Sequence, residues 1–299
     1  MLYFFGALLG VVASGCTSLA AAVIVNNCFG EQSGTPMGIT MAGTGICGIL
    51  QGFFIPSLLA NLGWRVVYAI LGVCWEAALL GAAFLIGEQR VVTTHADTKQ
   101  KGMNEHGTSV KWTTGLVLFM ACIFVFSLHG SFLHHMQAHF TEQGIPETIT
   151  GIFMSIFNVF VISFKVSQGY LFDRFGATMT TAAAFSVFAV GLLLATSQEP
   201  MILFISMICL AFGMSAETVL TPLLTREIWG IREYAIIYAR ISMAYNCGTA
   251  FGSPLWGTIY DVTKSYKVGL LCTPWIIMAD LLLIVVMIRK KRNVYDTTL

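Results

Sequence analysis

Residues 25–56, VNNCFGEQSGTPMGITMAGTGICGILQGFFIP, are written a second time 200 positions on as residues 225–256, TREIWGIREYAIIYARISMAYNCGTAFGSPLW. The two stretches align without a gap. Phe29-Gly30 stands against Trp229-Gly230, Cys47-Gly48 against Cys247-Gly248, and Gly52 against Gly252. A proline follows the last of these glycines in each copy (Pro56, Pro254). An aromatic-basic-valine step then opens the next apolar run, Trp64-Arg65-Val66 and Tyr266-Lys267-Val268. Both copies occupy matching places in a row of long hydrophobic spans, six spans apart. A unit of six repeated head to tail implies two structural halves facing each other in a membrane.

Composition sets the class independently. Hydrophobic residues make up 56% of the 299 positions and charged residues 10%, with a mean hydropathy of +0.77. A soluble chain of that length cannot hide so much apolar surface. Runs near the ~20 residues that cross a bilayer lie at 2–27, 36–60, 64–87, 113–137, 147–172, 177–196, 200–225, 232–259 and 267–288. Nine such spans satisfy their backbone amides as helices rather than strands. The expected fold is an all-α polytopic membrane protein. Three parts are expected: a partial N-terminal half at 1–87 with three helices, a polar linker at 88–112, and a six-helix C-terminal half at 113–299. On a six-helix unit, three helices are missing before Met1. The linker is mixed in charge (Glu88, Arg90, Asp97, Lys99, Lys101, Glu105, Lys111) and reads as mobile.

Lys and Arg set the orientation. With 88–112 in the cytoplasm, that side carries Arg90, Lys99, Lys101, Lys111, Arg174, Arg226, Arg232, Arg289, Lys290, Lys291 and Arg292, eleven against Arg65, Lys264 and Lys267 opposite. The positive-inside bias places the C-terminus in the cytoplasm and Met1 outside, in a multi-pass protein of the cell membrane. The net charge of +1 and the lack of an aromatic-basic strip give no reason to expect a nucleic-acid partner. The eight cysteines (Cys16, Cys28, Cys47, Cys74, Cys122, Cys209, Cys247, Cys272) form no C-x-x-C pair, so packing rather than metal or disulfide chemistry is expected of them.

The most specific local motif is Gly169-Tyr170-Leu171-Phe172-Asp173-Arg174-Phe175-Gly176, in the turn between the fifth and sixth spans. Glycines allow tight helix contact and a sharp turn. A carboxylate and a guanidinium side by side at a membrane surface suit a latch, the one facing the positive end of another helix while the other pairs elsewhere. This G-x-L-x-D-R-x-G loop resembles the second-half signature loop of the major facilitator superfamily. The resemblance covers essentially the whole chain, matched to family helices four to twelve. Residues 37–45 look like the fifth helix, and Gly63-Trp64-Arg65 like its turn into the sixth. The resemblance implies that the loop, with Gly169, Asp173, Arg174 and Gly176, docks on the start of that fifth helix. There Thr35 is expected as N-cap and Pro36 at N1. Glu31-Gln32-Ser33 departs from the family by standing where basic residues are common.

Two cations fall inside spans. Lys165 lies eight residues before Asp173 and Arg240 eight after Arg232, so both sit about 12 Å above the cytoplasmic turns at 1.5 Å per residue. Such charges need a counter-charge, which a bound anion supplies. The pattern resembles the oxalate/formate antiporter branch, where the eighth and eleventh helices each offer one basic residue to a carboxylate. Lys165-Val166-Ser167-Gln168-Gly169 and Tyr234, Tyr238 and Ala239 before Arg240 carry that match. Lysine replaces arginine at the eighth-helix position and loses the planar fork, so a monocarboxylate fits as well as a dicarboxylate. The related monocarboxylate transporters place an acid one turn earlier, where this chain has Val161.

The structural alternatives stay open. Arg240 can snorkel or pair with Glu233, and Lys165 can pair with Glu217. Tyr245 and Asn246 are candidates to hydrogen-bond substrate. Glu217, His129 and His135 are candidates for ion or proton coupling; His129, His134 and His135 also suit an interface. Glu76 and Asp280 read as structural or interfacial, and Gly248, Gly252 and Gly257 as packing positions.

The function expected from the resemblance is secondary active transport of small organic anions by alternating access. No enzyme activity, cofactor or metal is expected, and no G-x-x-x-x-G-K-[ST] supplies nucleotide energy. The alternatives are a non-transporting remnant, or a superfamily transporter of a different small solute. Expected partners are the anion, the bilayer and the helices missing before Met1.

Overall fold

The computed structural model of this chain describes residues 18–86, 112–231 and 233–296. Residues 1–17 of the first span, the linker before Trp112 and Arg232 lie outside the described residues, as do the side chains of Glu31, Lys291 and Arg292.

Among the described residues the backbone is helical almost throughout and contains no strand. In chain order the helices are α1 (Ser18–Phe29), α2 (Gly34–Ile86), α3 (Thr114–Gly130), α4 (Met136–Glu142), α5 (Glu147–Leu194), α6 (Pro200–Trp229), α7 (Tyr234–Thr263) and α8 (Lys267–Asp296). Short 3-10 turns join α1 to α2 (Gly30–Gln32) and α3 to α4 (Ser131–His134). Thr113 caps α3, its Oγ1 accepting from the Leu116 N–H at 3.3 Å.

α2 and α5 run to 53 and 48 residues, too long for one crossing of a bilayer. Each is interrupted by one glycine in a backbone region that side chains exclude, Gly63 (φ 71°, ψ 160°) and Gly176 (φ 79°, ψ 172°). Each glycine therefore divides its helix into two passes, and among the described residues the segments answer to the last eight of the nine spans read from the sequence and to the end of the first.

Among the described residues, five stretches are long and apolar enough to cross a membrane: Asn61–Ala82, Thr114–His134, Ile149–Leu194, Pro200–Trp229 and Lys267–Lys290. The third holds both passes of α5. α7 is less apolar, because Arg240, Asn246 and Asp261 dilute it, while several side chains in the first pass of α2 lie outside the described residues.

The chain divides into two compact units, residues 1–45 with 110–299, and residues 46–109. In the first, the core is aromatic and aliphatic. Phe126 stacks on Phe185 at 4.4 Å between centroids and tilts against Phe188 at 5.4 Å. α7 lies hard against α3, because a Cβ at Gly248 would collide with Ser127 Oγ and the Phe124 carbonyl, and one at Gly252 with the Leu128 carbonyl. Gly257 faces open space instead. In the second unit the described residues are largely exposed, and the Arg65 guanidinium lies 4.5 Å over the Trp64 ring.

Candidate functional site

A seam of small residues joins α2 to α5. On α5, Ile162, Lys165, Gly169 and Asp173 recur at helical spacing and share one face. On α2, Gly34, Gly38, Met41 and Gly45 do the same, and the two faces run antiparallel. Gly34 meets Gly169 and Asp173, Gly38 meets the Lys165 backbone, and Gly45 meets Ile162. A Cβ at Gly169 would collide with the Gly34 carbonyl, so the backbones touch only because both positions are glycine.

At one end of the seam, Asp173 caps α2 from a different helix. Its Oδ1 accepts from the Gly34 N–H at 3.0 Å, and its Oδ2 accepts from the Thr35 N–H and hydroxyl, both at 2.7 Å. A carboxylate on the first amides of a helix meets the positive end of its dipole. The helix opens at Gly34, before the expected Thr35 cap, because Ser33 supplies the carbonyl for the Met37 N–H at 2.9 Å. Thr35 donates to the cap in place of forming it. Arg174 stays on its own helix, donating to the Tyr170 hydroxyl at 2.9 Å with its guanidinium 5.5 Å from the Phe175 ring.

Beside this cap, Arg226 near the C-terminus of α6 donates to the Gly30 carbonyl and the Ser33 hydroxyl. Ser33 Oγ donates to Asn26 Oδ1 at 2.9 Å, and Asn26 Nδ2 to the Ala22 carbonyl at 3.0 Å. This chain of polar groups ties α6 to the α1–α2 connection.

Farther along the seam Lys165 is buried. Its Nζ donates to Thr44 Oγ1 at 2.7 Å and to the Met41 carbonyl at 3.3 Å, while the Thr44 hydroxyl donates to that same carbonyl at 2.8 Å. Three residues on, Gln168 Nε2 donates to the Phe212 carbonyl at 2.7 Å and to Ser215 Oγ at 3.1 Å, fixing α5 against α6. Glu217, buried on α6, interacts electrostatically with Lys165 and accepts a hydrogen bond from the Tyr245 hydroxyl. No carboxylate among the described residues stands within ion-pair distance of Lys165 Nζ. The ammonium is therefore ligated by neutral oxygens, with one acid at longer range.

The structure brings Lys165, Glu217 and Tyr245 into one constellation drawn from α5, α6 and α7. Arg240 is half-buried with its guanidinium 4.5 Å over the Trp112 ring. Asn246 is exposed on α7. His129 Nδ1 lies 2.8 Å from the Val125 carbonyl of its own helix. His135 bridges elements: Nε2 lies 3.0 Å from the Ser253 carbonyl of α7, and Nδ1 lies 3.3 Å from the Tyr266 hydroxyl. Donation from Nε2 and acceptance at Nδ1 satisfy both contacts. Asp280 is buried, bonded to the Cys122 thiol, and its Oδ2 has no partner. Glu76 is exposed. Among the described residues no group of three or more His, Cys, Asp or Glu is arranged to hold a metal ion.

Several groups escaped the sequence reading. Thr44 and the Met41 carbonyl carry no signal of their own, although the glycines around them mark a close helix contact. Arg226 occupies the repeat position of Asn26, and the two residues meet in the same polar chain through Ser33. His139, on α4, is fully buried and donates from Nε2 to the Ala195 carbonyl at 2.7 Å. Burial pushes its imidazole below the ordinary 6.5.

The sequence model of the Major Facilitator Superfamily matches the chain over residues 1–177 and over residues 115–296. A search of curated proteins finds no match.

Proposed function

Because the chain belongs to the Major Facilitator Superfamily, a family of secondary transporters of small solutes, we propose that its solute is a small organic anion, a mono- or dicarboxylate. The reading places it near the oxalate/formate antiporter and monocarboxylate transporter branch, in the cell membrane with the C-terminus cytoplasmic. Alternating access moves the anion, as two bundles rock about a site near the midplane.

One observation carries this reading. A buried ammonium, Lys165, is held by a hydroxyl and a carbonyl and has no carboxylate within ion-pair distance among the described residues. An intramembrane charge without a full counter-charge marks a solute pathway, and a carboxylate is the complementary group. Arg240, Tyr245 and Asn246 complete the proposed anion site. Glu217 stands where it can balance Lys165 between substrates, and it is the proposed coupling acid, with His129 and His135 nearer the outer face. Asp173, Arg174, Gly169 and Gly176 form the proposed latch on α2.

A second reading, transport of a different small solute, draws on Arg240. Its guanidinium lies on the Trp112 indole face, and on this reading Lys165 alone faces the solute. Uptake of labelled oxalate, formate, lactate and pyruvate into proteoliposomes separates the two readings. Saturable uptake or exchange of at least one supports the anion carrier. No uptake of any of the four, with the protein folded and inserted, overturns it.

A further inference from the structure

The seat of Lys165 is a small built site. Thr44 Oγ1 accepts from the ammonium at 2.7 Å and donates to the Met41 carbonyl at 2.8 Å, and the same carbonyl accepts a second ammonium N–H at 3.3 Å. The hydroxyl is thus polarised from both sides: it accepts from a cation and donates to a carbonyl already facing that cation. All three groups sit on the seam where glycines allow α2 and α5 to touch, and Gly38 lies against the Lys165 backbone. Two of the three ammonium protons are committed to α2. One of the three donors stays uncommitted, so a carboxylate that engages Lys165 through both oxygens must draw at least one proton away from α2.

We infer that Thr44, together with the Met41 carbonyl, is a gating seat that competes with the transported carboxylate for Lys165. Capture of the anion and loosening of the α2–α5 contact are then one event. The inference rests on the anion-carrier reading and adds the residue that couples the site to the moving helices. Thr44 is a positioning residue that acts through Lys165. Its role predicts a gain rather than a loss: without the seat, the ammonium is free for the anion.

The test uses the full chain, purified in detergent, as wild type, Thr44→Val and Thr44→Ser. Valine keeps the shape and removes the acceptor; serine keeps the hydroxyl. Thermal unfolding is measured without anion and across a titration of oxalate, formate, lactate or pyruvate. Loss of a hydrogen bond to a charged group should tighten the apparent affinity of Thr44→Val for the responding anion by about tenfold. Its anion-free melting temperature should fall below that of the wild type. Thr44→Ser should match the wild type in both. The inference is overturned if the wild type responds to an anion and Thr44→Val responds with equal or weaker affinity, or if Thr44→Ser behaves as Thr44→Val. If the wild type responds to none of the four anions, the carrier reading itself fails and takes the competition with it. That outcome is distinguishable because it appears before any variant is compared.

Discussion

Asp173 holds Thr35 twice through one oxygen: Oδ2 accepts from both the backbone N–H and the side-chain hydroxyl at 2.7 Å, across 138 residues of chain. The contact joins the signature loop of α5 to the first turn of α2. It satisfies amides that no carbonyl within the helix can reach. Asp173→Asn keeps the shape, but it replaces one acceptor by a donor and removes the charge opposite the helix dipole. The expected result is folded, inserted protein with transport reduced about tenfold or more, since charge-assisted bonds at a moving interface are lost. Asp173→Glu should recover part of the rate. Wild-type uptake by Asp173→Asn would remove the loop from the transport cycle.

Lys165→Ala and Arg240→Ala should each abolish anion exchange while leaving membrane insertion intact. Truncating one member of a buried charged contact weakens binding by roughly 2–5 kcal/mol, enough to lose saturable uptake at millimolar substrate. Lys165→Arg tests shape: a guanidinium restores charge and adds a planar fork, so it should favour oxalate over formate relative to the wild type. Full transport by both alanine variants would return these residues to structural roles.

Gly252→Val should unfold the bundle more easily than Gly257→Val. A side chain at 252 meets the Leu128 carbonyl and Ser131 Oγ, whereas 257 faces open space. Overpacking a close helix contact costs about 1–3 kcal/mol, read as a lower melting temperature in detergent. Equal melting temperatures for the two variants would mean that α3 and α7 separate easily at this point.

Acid should weaken the fold through His139. Its imidazole is buried, it faces Glu142 at 4.0 Å with Lys267 near, and burial lowers its proton affinity below the ordinary 6.5. The unfolded chain therefore takes up the proton first, so stability is full above about 6.5 and declines as pH falls toward the lower folded value. His139→Gln can still donate to the Ala195 carbonyl and carries no proton equilibrium in this range. It should flatten the pH dependence of the melting temperature between neutral pH and mild acid. An unchanged pH profile in that variant would assign the acid sensitivity to other groups.

The helices and their breaks were legible because hydrophobic length and glycine position are local properties. Gly63 and Gly176 interrupt their helices in or beside the turns the spans require. The contact of Asp173 with the start of α2 was legible from a motif that specifies its docking partner. Thr44 was not, because its meeting with Lys165 depends on the register of two helices far apart in sequence. Arg240 shows a different limit. Counting residues along α7 sets the height of its backbone, but a long side chain chooses its own direction, and here it lies on Trp112. His139 has no sequence signal, because burial on a helix as short as α4 has no periodic signature.

The contact between α2 and α5 carries an anion at its exposed end and a cation at its buried one, Asp173 and Lys165. Dissolved salt reaches the two ends unequally, since screening is strong at a wet surface and weak inside a bundle. Rising ionic strength therefore slackens the Asp173 fastening first and leaves the Lys165 fastening intact, so the pair of helices parts from one end, like a zip.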